Sequence, residues 1–422
     1  MYKIKLVLLV VILTILPNFS QAQNNNTHSP YTRYGYGLLS DQSFGSQRAM
    51  GGIGFGLRNP QMINPLNPAS FSVVDSMTFM LDFGVKGQIG WLEDGNIKAR
   101  KYDASLEYIA LQFPLAKRLG MGVGLEPISY VGYQYVNDPE ELNVISGKSY
   151  ESYTGKGGLN KVYTTVSYSL LDNLSLGVKI GYLFGDIIHS GAVSFNTVNT
   201  YITSWNDTLR SSGLTYQAGL QYSHPINKSE ELVFGAIFSP KTRIQGKVMT
   251  GEIRYDPNNS NQIQSSENTV TKDSVFQMPA TYGLGVTYRK FNKLTLGADV
   301  QYQRWASAKF FDKTNSLSDR LKVNAGLEYI PNAFGHNVFN KSRYRAGAYY
   351  SNSYINVNGS GYKEYGASVG MGIPMIDRRS FVNFAFEYSI IRPEVAMIDE
   401  QYFRFTLSYT FNELWFLKRK LQ

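Results

Sequence analysis

The feature that most constrains this chain is an alternation of apolar and polar residues that recurs along most of its length. In residues 174–185 apolar side chains occupy every second position, and mostly Ser, Gly and Lys stand between them. Successive side chains of a β-strand point to opposite faces of the sheet, so the pattern predicts strands with one apolar and one polar face. The clearest stretch, residues 403–411, alternates Phe, Leu and Tyr with Arg, Thr and Ser. We therefore expect a chain built almost entirely of β-sheet.

The alternating stretches predict fourteen strands, and the connections between them alternate in length. Connections after the odd-numbered strands are mostly long, and the others are mostly short. Bacterial outer-membrane barrels have long extracellular loops, short periplasmic turns and an even number of strands. Residues 197–205 and 243–255 are candidates for additional hairpins and leave sixteen strands as an alternative. The predicted strands are residues 78–91, 104–113, 119–135, 160–170, 174–186, 211–223, 230–238, 278–289, 294–306, 320–331, 343–356, 363–373, 380–392 and 401–411.

Aromatic residues separate a membrane barrel from a soluble β-sandwich, whose strands also alternate. Many apolar rows end in Tyr or Phe, as at Tyr182, Phe184, Tyr222, Tyr302 and Tyr329. Such rings suit the aromatic girdles at the two membrane interfaces. The chain combines 31 Tyr, 24 Phe and 39 Gly with only 17% charged residues, which fits a barrel whose polar lumen face dilutes its apolar lipid face. The expected fold class is all-β, a transmembrane antiparallel β-barrel.

The first residues predict export. Lys3 and Lys5 precede an apolar run at residues 6–16 and a small-residue site ending at Ala22, which together form the pattern of a signal peptide over residues 1–22. The run is shorter than the roughly 18 residues that a membrane-spanning helix needs. Cysteine is absent, so no disulfide framework is expected. Lys and Arg are scattered rather than arranged in a basic stripe, so nucleic acid is not expected as a partner. The predicted location is the cell outer membrane.

Residues 23–77 show neither the strand nor the helix period. They contain glycines at 51, 52, 54 and 56 and two Asn-Pro pairs, at 64–65 and 67–68, which favour tight and irregular backbone paths. Irregular backbone at membrane depth is tolerated only inside protein or beside a water-filled cavity. We therefore expect residues 23–77 to form a plug inside the lumen. The barrel is expected over residues 78–411, followed by a short periplasmic extension at 412–422.

The same segment carries a resemblance to a known family. A glycine-rich stretch at residues 48–52 (RAMGG), the motif Asn67-Pro68-Ala69 and the first strand shortly afterwards resemble the FadL-type outer-membrane transporters of long-chain fatty acids and other hydrophobic compounds. The resemblance implies that this segment is a hatch in the lumen and that the Asn-Pro-Ala motif belongs to it. The chain departs from the family in a longer front segment, residues 29–42, and in the extension at 412–422.

The resemblance also implies a lateral gate. In the family a kink in the third strand opens the wall, so that a hydrophobic substrate leaves into the bilayer. Pro127 lies in the third predicted strand near Gly124, and proline removes a hydrogen bond from the ladder. Pro127 and Gly124 are the candidates for such a gate. The alternative is that Pro127 lies above the membrane, where a strand needs no partner.

Candidate substrate-binding residues come from the lumen rows and from the plug. Arg343 and Arg345 are candidates for binding a carboxylate, because a guanidinium group matches it with two hydrogen bonds; the alternative is that they pair with other residues or tether the plug. Met50 and Phe55 are candidates for lining an apolar pocket, and the alternative is that they pack the plug against the wall.

No catalytic, cofactor or metal site is predicted. The four histidines are far apart in sequence, and no nucleophile elbow or phosphate-binding loop is present, so an enzyme is not expected. The predicted function is passive uptake of hydrophobic, fatty-acid-like small molecules, with outer-membrane lipid and that ligand as partners. Two alternatives stay open: a structural or shuttle barrel of a protein secretion system, similar to the type IX machinery and binding one of its components, and a general porin.

Overall fold

The computed structural model describes residues 27–95, 97–137, 140–141, 148–195, 202–255, 263–357, 359–394 and 398–414. The predicted signal peptide and residues 415–422 lie outside these ranges. Within them, no helix has both the length and the apolar character needed to cross a membrane.

Eighteen strands form within the described residues. Two short α-helices, α1 (Gly45–Arg48) and α2 (Val338–Lys341), and two 3₁₀ turns, Pro30–Arg33 and Pro68–Val73, accompany them. The strands are β1 (Leu38–Leu39), β2 (Thr78–Asp94), β3 (Ile97–Ala116), β4 (Leu119–Val136), β5 (Glu140–Glu141), β6 (Lys148–Ser169), β7 (Leu174–Phe195), β8 (Ile202–Asn227), β9 (Glu230–Ser239), β10 (Thr242–Tyr255), β11 (Ile263–Met278), β12 (Thr281–Lys290), β13 (Leu294–Gln303), β14 (Arg320–Tyr329), β15 (Arg343–Asn352), β16 (Tyr362–Pro374), β17 (Phe381–Pro393) and β18 (Asp399–Leu414).

Fourteen of these strands, all except β1, β5, β10 and β11, close into an antiparallel ring. The last strand, β18, returns to pair with β2 from Leu414↔Thr78 to Asp399↔Glu93 and completes the barrel. The predicted all-β barrel of fourteen strands is thus confirmed. Residues 243–255, one of the two candidate extra hairpins, form most of β10, which pairs with β11 and with residues 202–212 at the start of β8 outside the ring. Of the other candidate, residues 197–205, residues 197–201 lie outside the described residues, and residues 202–205 belong to β8.

Several predicted loops are strands instead. Residues 92–103 were expected to be a loop, yet β2 and β3 continue pairing as far as Asp94↔Ile97, and β7 and β8 likewise continue to Val193↔Thr203. Beyond the membrane both faces of a hairpin meet water, so no apolar alternation marks it in the sequence. The barrel also ends later than predicted: residues 412–414 belong to β18, because they pair with the first residues of β2.

The two faces of the barrel are inverted relative to a soluble protein. Apolar side chains of the outward rows are exposed, for example Leu284 at 68% and Val369 at 57%. Charged side chains of the inward rows are buried, for example Lys179 at 3% and Asp299 at 2%. An apolar exterior around a polar interior is the arrangement of a β-barrel that is embedded in a lipid bilayer.

Candidate functional site: the barrel interior and its lateral gap

Residues 27–77, here called the N-terminal segment, lie against the inward-facing side chains of strands on different sides of the ring. Its backbone donates from Gly51 to Ser368 Oγ of β16 at 2.9 Å and from Gly54 to Asp299 Oδ2 of β13 at 2.6 Å. At another part of the wall, Ser167 Oγ of β6 donates to the Ala69 carbonyl at 2.8 Å. Polar side chains of the lumen thus satisfy the backbone of an irregular segment, as a buried irregular chain requires.

A series of wall glycines receives this segment. We call Gly120, Gly177, Gly219, Gly235, Gly285, Gly297, Gly326, Gly347 and Gly370 the glycine belt. A methyl group added at any of them would lie 1.8–2.8 Å from an atom of the N-terminal segment, which leaves no room for a side chain. Many are direct cross-strand neighbours, as in Gly177↔Gly219, Gly235↔Gly285 and Gly297↔Gly326↔Gly347. Glycine inside a strand costs about 0.5–1 kcal/mol relative to alanine, so the close approach of the segment explains the belt.

The glycine-rich stretch at residues 48–52 makes the turn that seats the segment. Gly51 and Gly52 have φ of +66° and +80°, which side chains rarely adopt. A methyl group on Gly51 would also meet backbone atoms of Ala325 and Ala348 at 2.7 Å. Position 51 therefore requires glycine, because of both its backbone conformation and the close approach of β14 and β15.

The predicted motif Asn67-Pro68-Ala69 connects two parts of the segment to the wall. Asn67 Nδ2 donates to the Phe55 carbonyl at 2.8 Å and to the Leu220 carbonyl of β8 at 3.1 Å. Asn67 Oδ1 accepts from the Ala69 amide at 3.0 Å and caps the 3₁₀ turn that Pro68 begins. The motif therefore fixes the backbone path where the segment meets β7 and β8.

Replacing Asn67 by Ala is expected to lower the free energy of unfolding by about 2 kcal/mol, because it removes three hydrogen bonds and leaves a buried amide unpaired. The midpoint of urea unfolding in detergent micelles measures the effect. Asn340→Ala, at an exposed position in α2, is the control and should leave the midpoint unchanged. Equal midpoints for the two variants would show that the motif adds no stability.

A buried charge network holds the segment above the belt. Arg48 is paired with Glu107 of β3, which also pairs with Lys86 of β2 at 2.9 Å and accepts from Tyr130 Oη at 3.1 Å. Arg48 also donates to the Asp41 carbonyl at 2.8 Å. Burial alone would lower the pKa of the Arg48 guanidinium group. The nearby carboxylates of Glu107 and Asp41 outweigh burial, and the pKa of Arg48 is raised. Arg48 therefore stays charged.

Asp41 of the segment reaches the opposite side of the wall. Its Oδ2 lies 3.1 Å from Lys322 Nζ of β14. Burial alone would raise the pKa of the Asp41 carboxyl, but Lys322 and Arg48 outweigh burial and bring the pKa to about 2. The carboxylate is therefore ionised at any physiological pH, and the pair connects β14 to the segment.

The strand pairing of the wall is interrupted beside Pro127, one of the predicted gate residues. The ladder between β3 and β4 ends at Ile109↔Leu125, although β3 continues to Ile97 and β4 to Val136. The register of β4 against β6 shifts between Pro127 and Ser129. The other predicted gate residue, Gly124, lies where an added methyl group would meet the ring of Tyr163 at 2.6 Å. We call the interval between residues 97–108 of β3 and 126–136 of β4 the lateral gap.

The N-terminal segment covers the inner side of the lateral gap. Its strand β1 pairs with β4 through Leu38↔Tyr130 and Leu39↔Ser129, and the Ser40 amide donates to the Ile128 carbonyl at 2.9 Å. Residues 126–133 of β4 are buried on both faces, as expected for a strand that turns into the barrel. On the lipid side of the gap, Leu106 of β3 is 59% exposed.

A cavity of about 130 Å³ lies above the belt and borders this closure. Its lining includes Leu39 of β1 and Ile128 of β4, and the apolar side chains Met278 and Trp305. Its charged lining side chains are Asp41, Lys161, Lys179, Asp299, Arg320 and Lys322. The cavity is therefore separated from the lateral gap by the β1–β4 contact.

The predicted substrate-binding residues have protein partners in this structure. Arg345 Nε pairs with Glu328 at 2.7 Å, and its Nη1 donates to Asn383 at 2.8 Å. Arg343 donates to Gln61 of the segment, so it ties the segment to the wall. Met50 is fully buried and packs with Ile53, Leu57 and Met62, a cluster below the cavity, whereas Phe55 lines the cavity itself.

Sequence comparison assigns the family. A sequence model of the BamG family matches residues 1–422. The chain belongs to the BamG family. No curated protein matches the sequence of this BamG chain.

Solved structures resemble this BamG-family chain over most of its length. They include a Pseudomonas aeruginosa FadL homologue (TM-score 0.59, 14% identity, 89% of this chain and 99% of that one), the Pseudomonas putida toluene transporter TodX (0.59, 14%, 90% and 100%) and the Ralstonia pickettii toluene transporter TbuX (0.55, 14%, 87% and 98%). At this identity the likeness shows a shared fold, and it confirms the predicted resemblance to FadL-type barrels.

Proposed function

We propose that the protein passes a hydrophobic small molecule across the outer membrane by passive diffusion and releases it sideways through the lateral gap. The observation that carries this proposal is the break in the β3–β4 ladder at Ile109↔Leu125. An unpaired strand edge is costly in hydrocarbon, and beyond this break β4 takes β1 of the N-terminal segment as its partner in place of β3, so we interpret the break as an opening that β1 closes. FadL-type neighbours that share the fold include two proteins described as toluene transporters.

The route runs from the extracellular side into the cavity, past the β1–β4 contact and out between β3 and β4. The short-turn end of the barrel is filled by residues 49–72, which rest on the glycine belt, so a path straight through the lumen requires their removal. The lateral route requires only that β1, two residues long, leaves β4. It delivers an apolar molecule directly into hydrocarbon, where transfer from water is favourable.

The size of the cavity narrows the substrate class. An apolar cavity of about 150 Å³ holds benzene, and the cavity here has about 130 Å³. By volume it suits a molecule with one ring better than an extended fatty-acid chain, and its lining combines apolar side chains with charged ones such as Lys161, Lys179 and Asp299. Arg343 and Arg345 lie outside the cavity lining and are bonded to Gln61 and Glu328, so the proposed ligand carries no carboxylate for them.

Uptake of a single-ring hydrocarbon by cells tests this function. Cells that produce the protein should take up radiolabelled toluene from dilute solution several-fold faster than cells that lack it, because the lipopolysaccharide leaflet slows apolar solutes. Radiolabelled oleate serves as the comparison and should show a smaller difference. Equal toluene uptake, with the protein folded in the outer membrane, would reject the transport function.

A second function, a structural barrel that binds a protein partner, is favoured by the extended strands. β7 has 22 residues and β8 has 26, about twice the 9–11 residues that cross a membrane. The surplus forms a sheet with β10 outside the ring. Co-purification of a large complex in mild detergent, together with unchanged toluene uptake, would favour this reading over transport.

A further inference from the structure

We infer that the N-terminal segment has a second role, as the internal template around which the barrel closes. The inference concerns residues 49–72, here called the ring, and it holds whether or not the protein transports a ligand. It rests on the path of the ring, on its fit to the glycine belt and on the polar groups that only the ring satisfies.

The ring follows the wall strand by strand. Ala49 lies at Gly370 of β16, Met50 and Gly51 at β14 and β15, Ile53 at β13 and Phe55 at β12 and β9. Further along the chain, Asn67 and Pro68 lie at β8 and β7, Ala69 at β6 and Phe71 at β4. This order is the order of the strands around the barrel. Residues 49–55 therefore touch the inner side of β16, β15, β14, β13, β12 and β9, and residues 67–71 touch that of β8, β7, β6 and β4. The chain between these two runs departs from the order, since Arg58 donates to Ser175 of β7 and Gln61 accepts from Arg343 of β15.

At five of the nine belt glycines, Gly120, Gly177, Gly235, Gly326 and Gly347, the nearest atom of the ring belongs to its backbone. A methyl group on Gly235 would lie 1.8 Å from the Phe55 carbonyl oxygen, on Gly120 1.9 Å from the Phe71 carbonyl oxygen and on Gly326 2.1 Å from the Met50 carbonyl oxygen. The belt glycines come into line only when neighbouring strands have their native register. A ring already in place therefore favours that register over one shifted by a residue, which would turn outward-facing side chains toward it.

The wall also carries polar groups whose partners are in the ring. Asp299 Oδ2 accepts from the amides of Gly54 and Phe55 at 2.6 and 2.9 Å. Gln221 Nε2 donates to the carbonyls of Phe55 and Leu57 at 3.0 and 3.1 Å. Asp299 and Gln221 are almost completely buried. Strands that assemble on the ring satisfy these groups as they arrive.

The order of the elements along the chain is consistent with assembly of the barrel around the ring. The ring directly precedes β2, and β18, which seals the barrel against β2 through sixteen paired residues, comes last. After closure, a bent segment that lines most of the inner circumference has to enter through a barrel end or through the lateral gap. Assembly around the ring avoids that step.

A cut between the ring and the barrel tests the template. Residues 75–77 are exposed, so a site-specific protease sequence inserted there gives a full-length chain that can be cut at will. If the chain is cut after folding, the barrel should still migrate differently on a gel with and without heating, as folded barrels do. The ring fragment should stay bound to it. Cut and then denatured in urea, the mixture should refold at least about tenfold more slowly than the intact chain, because the ring is no longer tethered beside β2.

Two outcomes would overturn the inference. One is refolding of the cut chain at the rate of the intact chain, since closure would then not depend on a tethered ring. The other is loss of the ring from the folded cut protein on washing, since the barrel would then not enclose it.

The folding and unfolding rates of glycine variants distinguish a ring that guides barrel closure from a ring that only stabilises the finished barrel. Gly235→Val and Gly326→Val place a side chain on the belt, whereas Gly87→Val on β2 makes the same change at a position with nothing within 4 Å. For a template, the belt variants should lower the refolding rate about tenfold and change the unfolding rate much less. Gly87→Val should behave as the wild type. Belt variants that alter only the unfolding rate would contradict the inference.

Discussion

A disulfide between residues 39 and 129 is expected to stop passage of the hydrophobic molecule, and reduction of that disulfide should restore it. Leu39 and Ser129 are directly opposite each other in the β1–β4 pair, at the separation of cross-strand neighbours that a disulfide can bridge. The chain contains no cysteine, so Leu39→Cys with Ser129→Cys introduces the only two thiols. The lock prevents β1 from leaving β4, which is the movement that the proposed route requires.

The matched control locks the ring instead. Ser72 Oγ and Ser175 Oγ are 3.0 Å apart, so Ser72→Cys with Ser175→Cys should form a disulfide that fixes the ring to β7. Toluene uptake by this variant should equal that of the wild type under oxidising and reducing conditions. If the ring lock blocks uptake and the lock at residues 39 and 129 does not, the substrate takes a path through the barrel axis, and the lateral route is wrong.

The barrel wall was predictable from the sequence because its two faces meet different surroundings. Outward residues meet lipid and inward residues meet polar groups, so the alternation survives in every strand at membrane depth. The predicted strands at 174–186 and 294–306 begin at the same residues as β7 and β13. Beyond the membrane the signal disappears, which is why the outer halves of β7 and β8 were expected to be loops.

The site was predictable only in part. Asn67-Pro68-Ala69 could be recognised in the sequence, because the turn that it forms involves only consecutive residues. β1 carries no such signal, since a strand of two residues has no period. The belt glycines were visible as glycines of the polar rows, for example Gly177 and Gly297. Their alignment depends on the register between strands, which the sequence of one strand does not contain.

Removing Arg48 is expected to destabilise the folded protein strongly. Arg48→Ala leaves Glu107 buried with Lys86 as its remaining charged partner and frees the carbonyls of Asp41 and Ser43. Breaking a buried pair by removing one partner costs about 3–5 kcal/mol. Because Lys86 remains at 2.9 Å, we expect a loss of about 3 kcal/mol in the free energy of unfolding, measured by urea titration in micelles.

Two further variants identify the cause of that loss. Arg210→Ala removes the partner of Asp186 in an exposed pair, and it should leave the free energy of unfolding almost unchanged. Arg48→Lys keeps a positive charge beside Glu107 but lacks the donor pattern of the guanidinium group, so it should recover only part of the stability lost in Arg48→Ala. If Arg48→Lys is as unstable as Arg48→Ala, the loss comes from the hydrogen bonds of Arg48 to the carbonyls of Asp41 and Ser43 rather than from its charge beside Glu107.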